Sequence, residues 1–156
     1  MMRSYLLAGL FAALCTPTYG LVFHDRLTQE VDGSKLSVLH GVDAETSVKF
    51  GSRTDSQTAG WKFDTDGYSD DQAIITPLSS SSTLACAVGS KCKLDLDGHP
   101  QVYRVTRVDQ TNPIFTLQDV ETSLYVSRSS DLNLELTEEQ SDSTHFQLEK
   151  ITGNDA

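Results

Sequence analysis

Aspartates, cysteines and histidines are the residues of this 156-residue chain whose types and spacing could do chemistry. Asp64-Thr65-Asp66-Gly67 and Asp95-Leu96-Asp97-Gly98 alternate carboxylates ahead of a glycine, as part of a calcium loop does. Such a loop needs an oxygen ligand two positions earlier, where Lys62 and Lys93 stand. It also needs a glutamate at its twelfth position, where Ala73 and Arg104 stand. Asp-Gly turn chemistry accounts for both segments. Asp64-Thr65-Asp66 lacks the third-position glycine of an aspartic protease. His24, His40, His99 and His145 show no metal spacing with one another or with an acid, and no Gly-x-Ser-x-Gly elbow occurs. Cys86 and Cys92, with His99 the nearest histidine, do not complete a tetrahedral set. The expectation is a chain with no catalytic residue, no metal and no cofactor.

The ends and the charge narrow the class. Residues 1–20 read as a secretory signal, with Arg3 ahead of the apolar run Leu6 to Leu14 and small residues in Thr18-Tyr19-Gly20. A lipid anchor at Cys15 is disfavoured, because Leu14 is too bulky for such a site. The apolar run is too short to span a bilayer, which takes about 20 apolar residues. Residues 21–156 then form one secreted, extracellular domain. Removing Arg3 moves the net charge from −10 to −11. Acid this dominant repels phosphate backbones and anionic lipid, which excludes nucleic acid and membrane insertion as functions. It allows neutral glycans or basic proteins as partners of a soluble monomer.

The elements that must position these residues are short strands separated by Gly, Ser, Asp or Pro, from Leu36–Leu39 to Phe146–Ile151. No apolar run keeps helical spacing for three turns. Residues 74–96 and 114–136 align without a gap at a spacing of 40, placing Ile74, Thr76, Leu84, Leu94 and Leu96 on Ile114, Thr116, Leu124, Leu134 and Leu136. Each copy leads to a strand opened by an aromatic, Tyr103 or Phe146, and Trp61 opens a third such strand 42 residues before Tyr103. In this alignment Cys86 and Cys92 fall on Val126 and Leu132, an apolar pair facing across a hairpin. An exported chain meets an oxidising compartment, so a Cys86–Cys92 disulfide is expected in that place.

Three degenerate repeats of about 42 residues, each a strand, a tight hairpin and a closing strand with an aromatic, resemble the β-trefoil fold. Six strands would form a short barrel and three hairpins would cap it, with Trp61, Tyr103 and Phe146 as equivalent core aromatics. An immunoglobulin-like sandwich would not give three evenly spaced closing strands. Gln101-Val102-Tyr103 keeps the Gln-x-aromatic form of ricin B-type lectins; Ala59-Gly60-Trp61 and Thr144-His145-Phe146 do not. Where that family's galactose sites use an aspartate, the chain places Gly51, Ala87 and Ser127, and no aromatic lies near Leu94 or Leu134 to stack on a sugar. The resemblance implies a non-enzymatic binding protein, lectin-like and engaging extracellular or cell-wall glycans. The alternative is a protein-binding trefoil, a protease inhibitor or an effector, using the loops Ser52–Gly60, Asp66–Asp71 or Thr137–Thr144.

Overall fold

The computed structural model describes residues 22–152, so the expected signal segment 1–20 lies outside the described residues. Their strands are β1 (Val22–Val31), β2 (Ser34–His40), β3 (Val48–Gly51), β4 (Trp61–Asp64), β5 (Gln72–Pro77), β6 (Thr83–Ala85), β7 (Lys93–Asp95), β8 (Val102–Arg107), β9 (Ile114–Asp119), β10 (Tyr125–Arg128), β11 (Leu134–Thr137) and β12 (Phe146–Lys150). Antiparallel pairing runs β1–β4–β5–β8–β9–β12 and returns to β1, a closed six-stranded barrel with no free edge. The hairpins β2–β3, β6–β7 and β10–β11 cap one end. Backbone bonds Phe50 N–H to Leu132 O, Leu94 N–H to Thr46 O and Cys92 N–H to Leu134 O tie the hairpins to each other.

The ladder registers relate the repeats residue by residue. Asp25 faces Trp61, Ala73 faces Tyr103 and Phe115 faces Phe146. Two residues along the inner face come Leu27, Ile75 and Leu117, and on the hairpins Val38, Leu84 and Val126. Together with the three aromatics these make three triads, every member fully buried. The Trp61 indole donates to Val38 O at 2.9 Å and the Tyr103 hydroxyl donates to Leu84 O at 2.9 Å, the same carbonyl in two repeats. Burial holds the Tyr103 phenol far above its usual range, so it stays a donor. Phe146 fills the third place without a polar handle.

This register corrects the sequence alignment. Leu84 corresponds to Val126 and Ile75 to Leu117, a spacing of 42 in place of 40. A slip of two residues preserves the inside–outside alternation of every strand, so the apolar pattern alone does not separate the two spacings. The counterparts of Cys86 and Cys92 are therefore Arg128 and Leu134, which face each other on β10 and β11, while Val126 faces Leu136. The disulfide itself is present, joining Cys86 to Cys92 across the second hairpin. Two local elements add to the reading. β1 precedes the first anticipated strand, and Asp32-Gly33, with φ of 51° and 81°, makes the tight β1–β2 turn. The loop after β3 holds one helical turn, α1 (Ser56–Ala59), whose cap Asp55 accepts from Thr58 N–H.

Each closing strand is latched to its hairpin differently. In the second repeat the Gln101 amide accepts from Cys86 N–H at 2.8 Å and donates to Cys86 O at 2.9 Å. The glutamine of the Gln-x-aromatic motif is thus a hairpin latch. In the first repeat Ala59 replaces it, and the buried His40 ring, in the place of Cys86, donates from Nε2 to Gly60 O at 2.8 Å while meeting Trp61 edge-on. In the third, Thr144 closes a local capping box with Ser141, and the neighbouring Ser143 Oγ meets Ser127 Oγ on β10 at 3.0 Å.

Three outcomes follow from this packing. A Cβ on Gly60 would lie 2.4 Å from Ser56 O and 2.5 Å from Leu78 Cδ1, so Gly60→Ala should cost about 1–3 kcal/mol in chemical denaturation. The double variant Cys86→Ser/Cys92→Ser should fold, because the barrel closes without that bond, but lose ~2 kcal/mol by loop-closure reasoning and melt several degrees lower. Burial lowers the His40 pKa below 6.5. The unfolded chain therefore binds the extra proton first, and this contribution to stability is lost as pH falls below 6.5. Melting temperatures from about pH 8 to about pH 5 should fall more steeply for the native protein than for His40→Gln, which keeps a donor and no charge.

Candidate functional site

The second repeat carries a polar cleft of about 540 Å³ between its hairpin, the segment leading into β8 and the β9–β10 turn. Its floor is Cys86, Gln101 and the buried Asp119; Asp95, His99 and Glu121 stand around it. Val88, 67% exposed, and Val120 give the rim an apolar edge.

Several of these polar groups are committed to the fold. The Asp119 carboxylate accepts from Thr122 N–H at 3.2 Å and from the Thr122 hydroxyl, which shapes the β9–β10 turn. Gln101 is held by Cys86. One oxygen of Asp95 accepts from Asp97 N–H at 2.9 Å, the same turn that Asp64 makes with Asp66 N–H at 2.9 Å. The other Asp95 oxygen lies 3.3 Å from His99 Nδ1. Open to a ligand are the exposed Glu121 carboxylate, the outer lone pairs of Asp95 and His99 Nε2, which accepts while Nδ1–H is turned to Asp95.

The sequence reading placed no histidine with acids, but the structure brings ligand atoms of Asp95, Asp97 and His99 within 4.8 Å of one another. The Asx turn and the His99–Asp95 pair use those same atoms and explain the grouping without an ion. The sugar-site positions also need correction. Gly51 lies on β3 opposite Ser37, Ala87 follows β6, and Ser127 lies within β10 opposite Glu135, so the three are not equivalent. The counterparts of Gly51 are Asp95 and Thr137, paired with Thr83 and Tyr125 as Gly51 is with Ser37. Ala87, at the end of the strand before the hairpin, has Gly41 and Ser129 as counterparts, so no repeat has an aspartate there; Asp95 stands on the other hairpin strand, in the place of Gly51 and Thr137. The aromatic spacings of 42 and 43 residues point toward the 42-residue offset of hairpins two and three, but the 44 residues from Gly51 to Asp95 follow only from the ladder register.

The anticipated loops separate by position. Ser52–Gly60 is braced by the Asp55 cap and by Arg26 Nη1 donating to Thr54 O at 3.1 Å. Thr137–Thr144 ends in a 3-10 turn, Asp142–Thr144. Asp66–Asp71 lies at the far end of the barrel, where Asp70 and Asp71 line a separate cavity.

No protein-family model and no curated protein matches the chain. Solved structures do. A designed 3-fold symmetric protein, ThreeFoil, superposes with a TM-score of 0.65 at 12% identity, over 82% of this chain and 99% of that one. A proteinase inhibitor from Coprinopsis cinerea gives 0.64 at 15% identity, over 84% and 99%. The Macrolepiota procera ricin B-like lectin, in complex with lactose, gives 0.65 at 12% identity, over 87% and 99%. At these identities the likeness carries architecture and no ligand: the chain is a β-trefoil.

Proposed function

We propose that this chain is an exported, non-enzymatic binding protein, lectin-like, that engages extracellular or cell-wall glycans through the cleft of its second repeat. The observation that carries the reading is the convergence of Asp95, His99 and Glu121 around one recess with an apolar rim. Sugar hydroxyls donate to carboxylates and to the unpaired nitrogen of an imidazole, and a sugar's C–H face packs on apolar side chains such as Val88 and Val120. The Macrolepiota procera lectin binds lactose on the same architecture, and a further trefoil neighbour, SeviL, is bound to an asialo-GM1 saccharide. The Cys86–Cys92 bond and the signal-like residues 1–20 support export. No helix among the described residues is long and apolar enough to cross a membrane. The acidic surface favours neutral or amine-bearing glycans over sulfated or sialylated ones.

A second reading, protease inhibition, draws on the braced Ser52–Gly60 loop, since a rigid exposed segment is what an inhibitor presents to a cleft. A glycan array run beside a protease panel separates the two. The glycan reading expects binding to uncharged or amino sugars that Asp95→Asn/Glu121→Gln weakens at least about tenfold, the scale of losing a hydrogen bond to a charged acceptor. Stoichiometric inhibition of a protease, abolished by changes in residues 52–55 and untouched by the cleft variant, would transfer the function to the loop.

A further inference from the structure

The end of the barrel away from the hairpins opens into a second recess, of about 450 Å³ and almost entirely apolar. Its walls come from the strand positions two residues beyond the core aromatics, Phe63, Val105 and Leu148, and from Ala73 and Phe115 on the facing strands. The threefold counterpart of Ala73 and Phe115 is Asp25. One carboxylate thus stands where the other repeats place apolar side chains. The residue is 3% exposed and lines the cavity, and its carboxylate has no hydrogen bond or ion pair among the described residues. Burial pushes its pKa up, while Lys150 on β12 and His24 on β1 pull it back without contact. An acid held this way costs stability in the free protein unless something binds it.

We propose that the barrel mouth is a binding site for a small apolar molecule bearing a protonated amine, its hydrocarbon body seated against Phe63, Val105 and Leu148 and its ammonium on Asp25. The volume falls in the range of small-molecule sites, about 300–1,000 Å³, in which apolar walls and a few convergent polar groups are the rule. The charges choose the sign of the head group. Asp71 is paired with Arg104 at 3.3 Å and Arg107 lies over the Phe115 ring, so the choice falls to Asp25, the carboxylate enclosed against the apolar walls without an ion-pair partner, and a cation is what it accepts. The small Ala73, between bulkier walls, leaves the space. The site is distinct from the glycan cleft, with no residue in common.

The test uses matched amine, alcohol and carboxylate compounds on adamantyl, phenethyl and n-octyl skeletons, titrated into the purified protein by calorimetry and by amide chemical shifts. At least one amine should bind, shifting Phe63, Val105 and Leu148, and its alcohol should bind at least about tenfold more weakly, with the carboxylate weaker still. Asp25→Asn should bring the amine down to the alcohol's affinity without unfolding the chain, since it removes a buried charge. Ala73→Leu, which fills the recess, should abolish amine and alcohol binding alike while circular dichroism stays unchanged. The proposal is overturned if no amine shifts the cavity residues, if amine and alcohol bind equally, if the shifts confine themselves to Asp70 and Asp71, or if Asp25→Asn leaves the amine's affinity intact.

Discussion

Closure of the barrel between β1 and β12 is the interaction on which the rest of the molecule depends. Four residue pairs, from Asp25–Lys150 to Thr28–Gln147, join the first strand to the last and make the interior continuous. Once the sheet closes, its inner face has one solution, layers of three side chains contributed by three repeats. The fully buried triads Leu27/Ile75/Leu117, Val38/Leu84/Val126 and Trp61/Tyr103/Phe146 are that solution. The aromatic layer is the widest and the most demanding. Trp61 and Tyr103 must hydrogen-bond to be buried, and both reach the same hairpin carbonyl, which also fixes each hairpin over the barrel.

With that layer satisfied, the repeats are free to differ everywhere else, and chemistry enters through their differences. Gln101, His40 and Ser143 solve one latching problem by an amide, an imidazole and a hydroxyl pair. Asp95 stands where Gly51 and Thr137 stand in the other hairpins, so the polar cleft exists once. Asp25 stands where Ala73 and Phe115 stand, so the barrel mouth has one carboxylate. In Gly51 the reverse constraint is visible: a Cβ there would meet Leu39 Cδ1 at 2.5 Å, so any larger residue requires the buried Leu39 side chain to shift.

The closing strands were legible in the sequence because each is announced by an aromatic at near-constant spacing, and these residues do occupy equivalent places. β1 was not, because its buried residues mix Leu27 with the polar Asp25, Thr28 and Gln29 and show no apolar alternation. Thr28 and Gln29 reach Gln147 O and Ser143 O across the barrel seam, a tertiary reason that no local pattern contains. The register of repeats two and three was off by two for a related reason: period-two patterns are degenerate under that slip, and only side chains of unlike size, Cys86 against Arg128, distinguish the choices. The site suffered most. Asp95 and Asp25 matter by contrast with their counterparts, and a contrast is readable only after the register is right.

The same asymmetry sets what kind of binder the molecule is. A trefoil with three intact sites can bridge partners and gain from avidity, since a second contact made by an already tethered chain occurs at high effective concentration. Here the second repeat holds the cleft and the first supplies the acid of the barrel mouth, and among the described residues neither Asp95 nor Asp25 has a carboxylate at its counterpart positions. Under the proposed reading such a chain holds one glycan at a time at the cleft, with an affinity set by how Asp95, His99 and Glu121 complement that ligand. Cross-linking of cells or polymers would require association of several chains, which the acidic surface resists at low ionic strength and screening relaxes as salt rises.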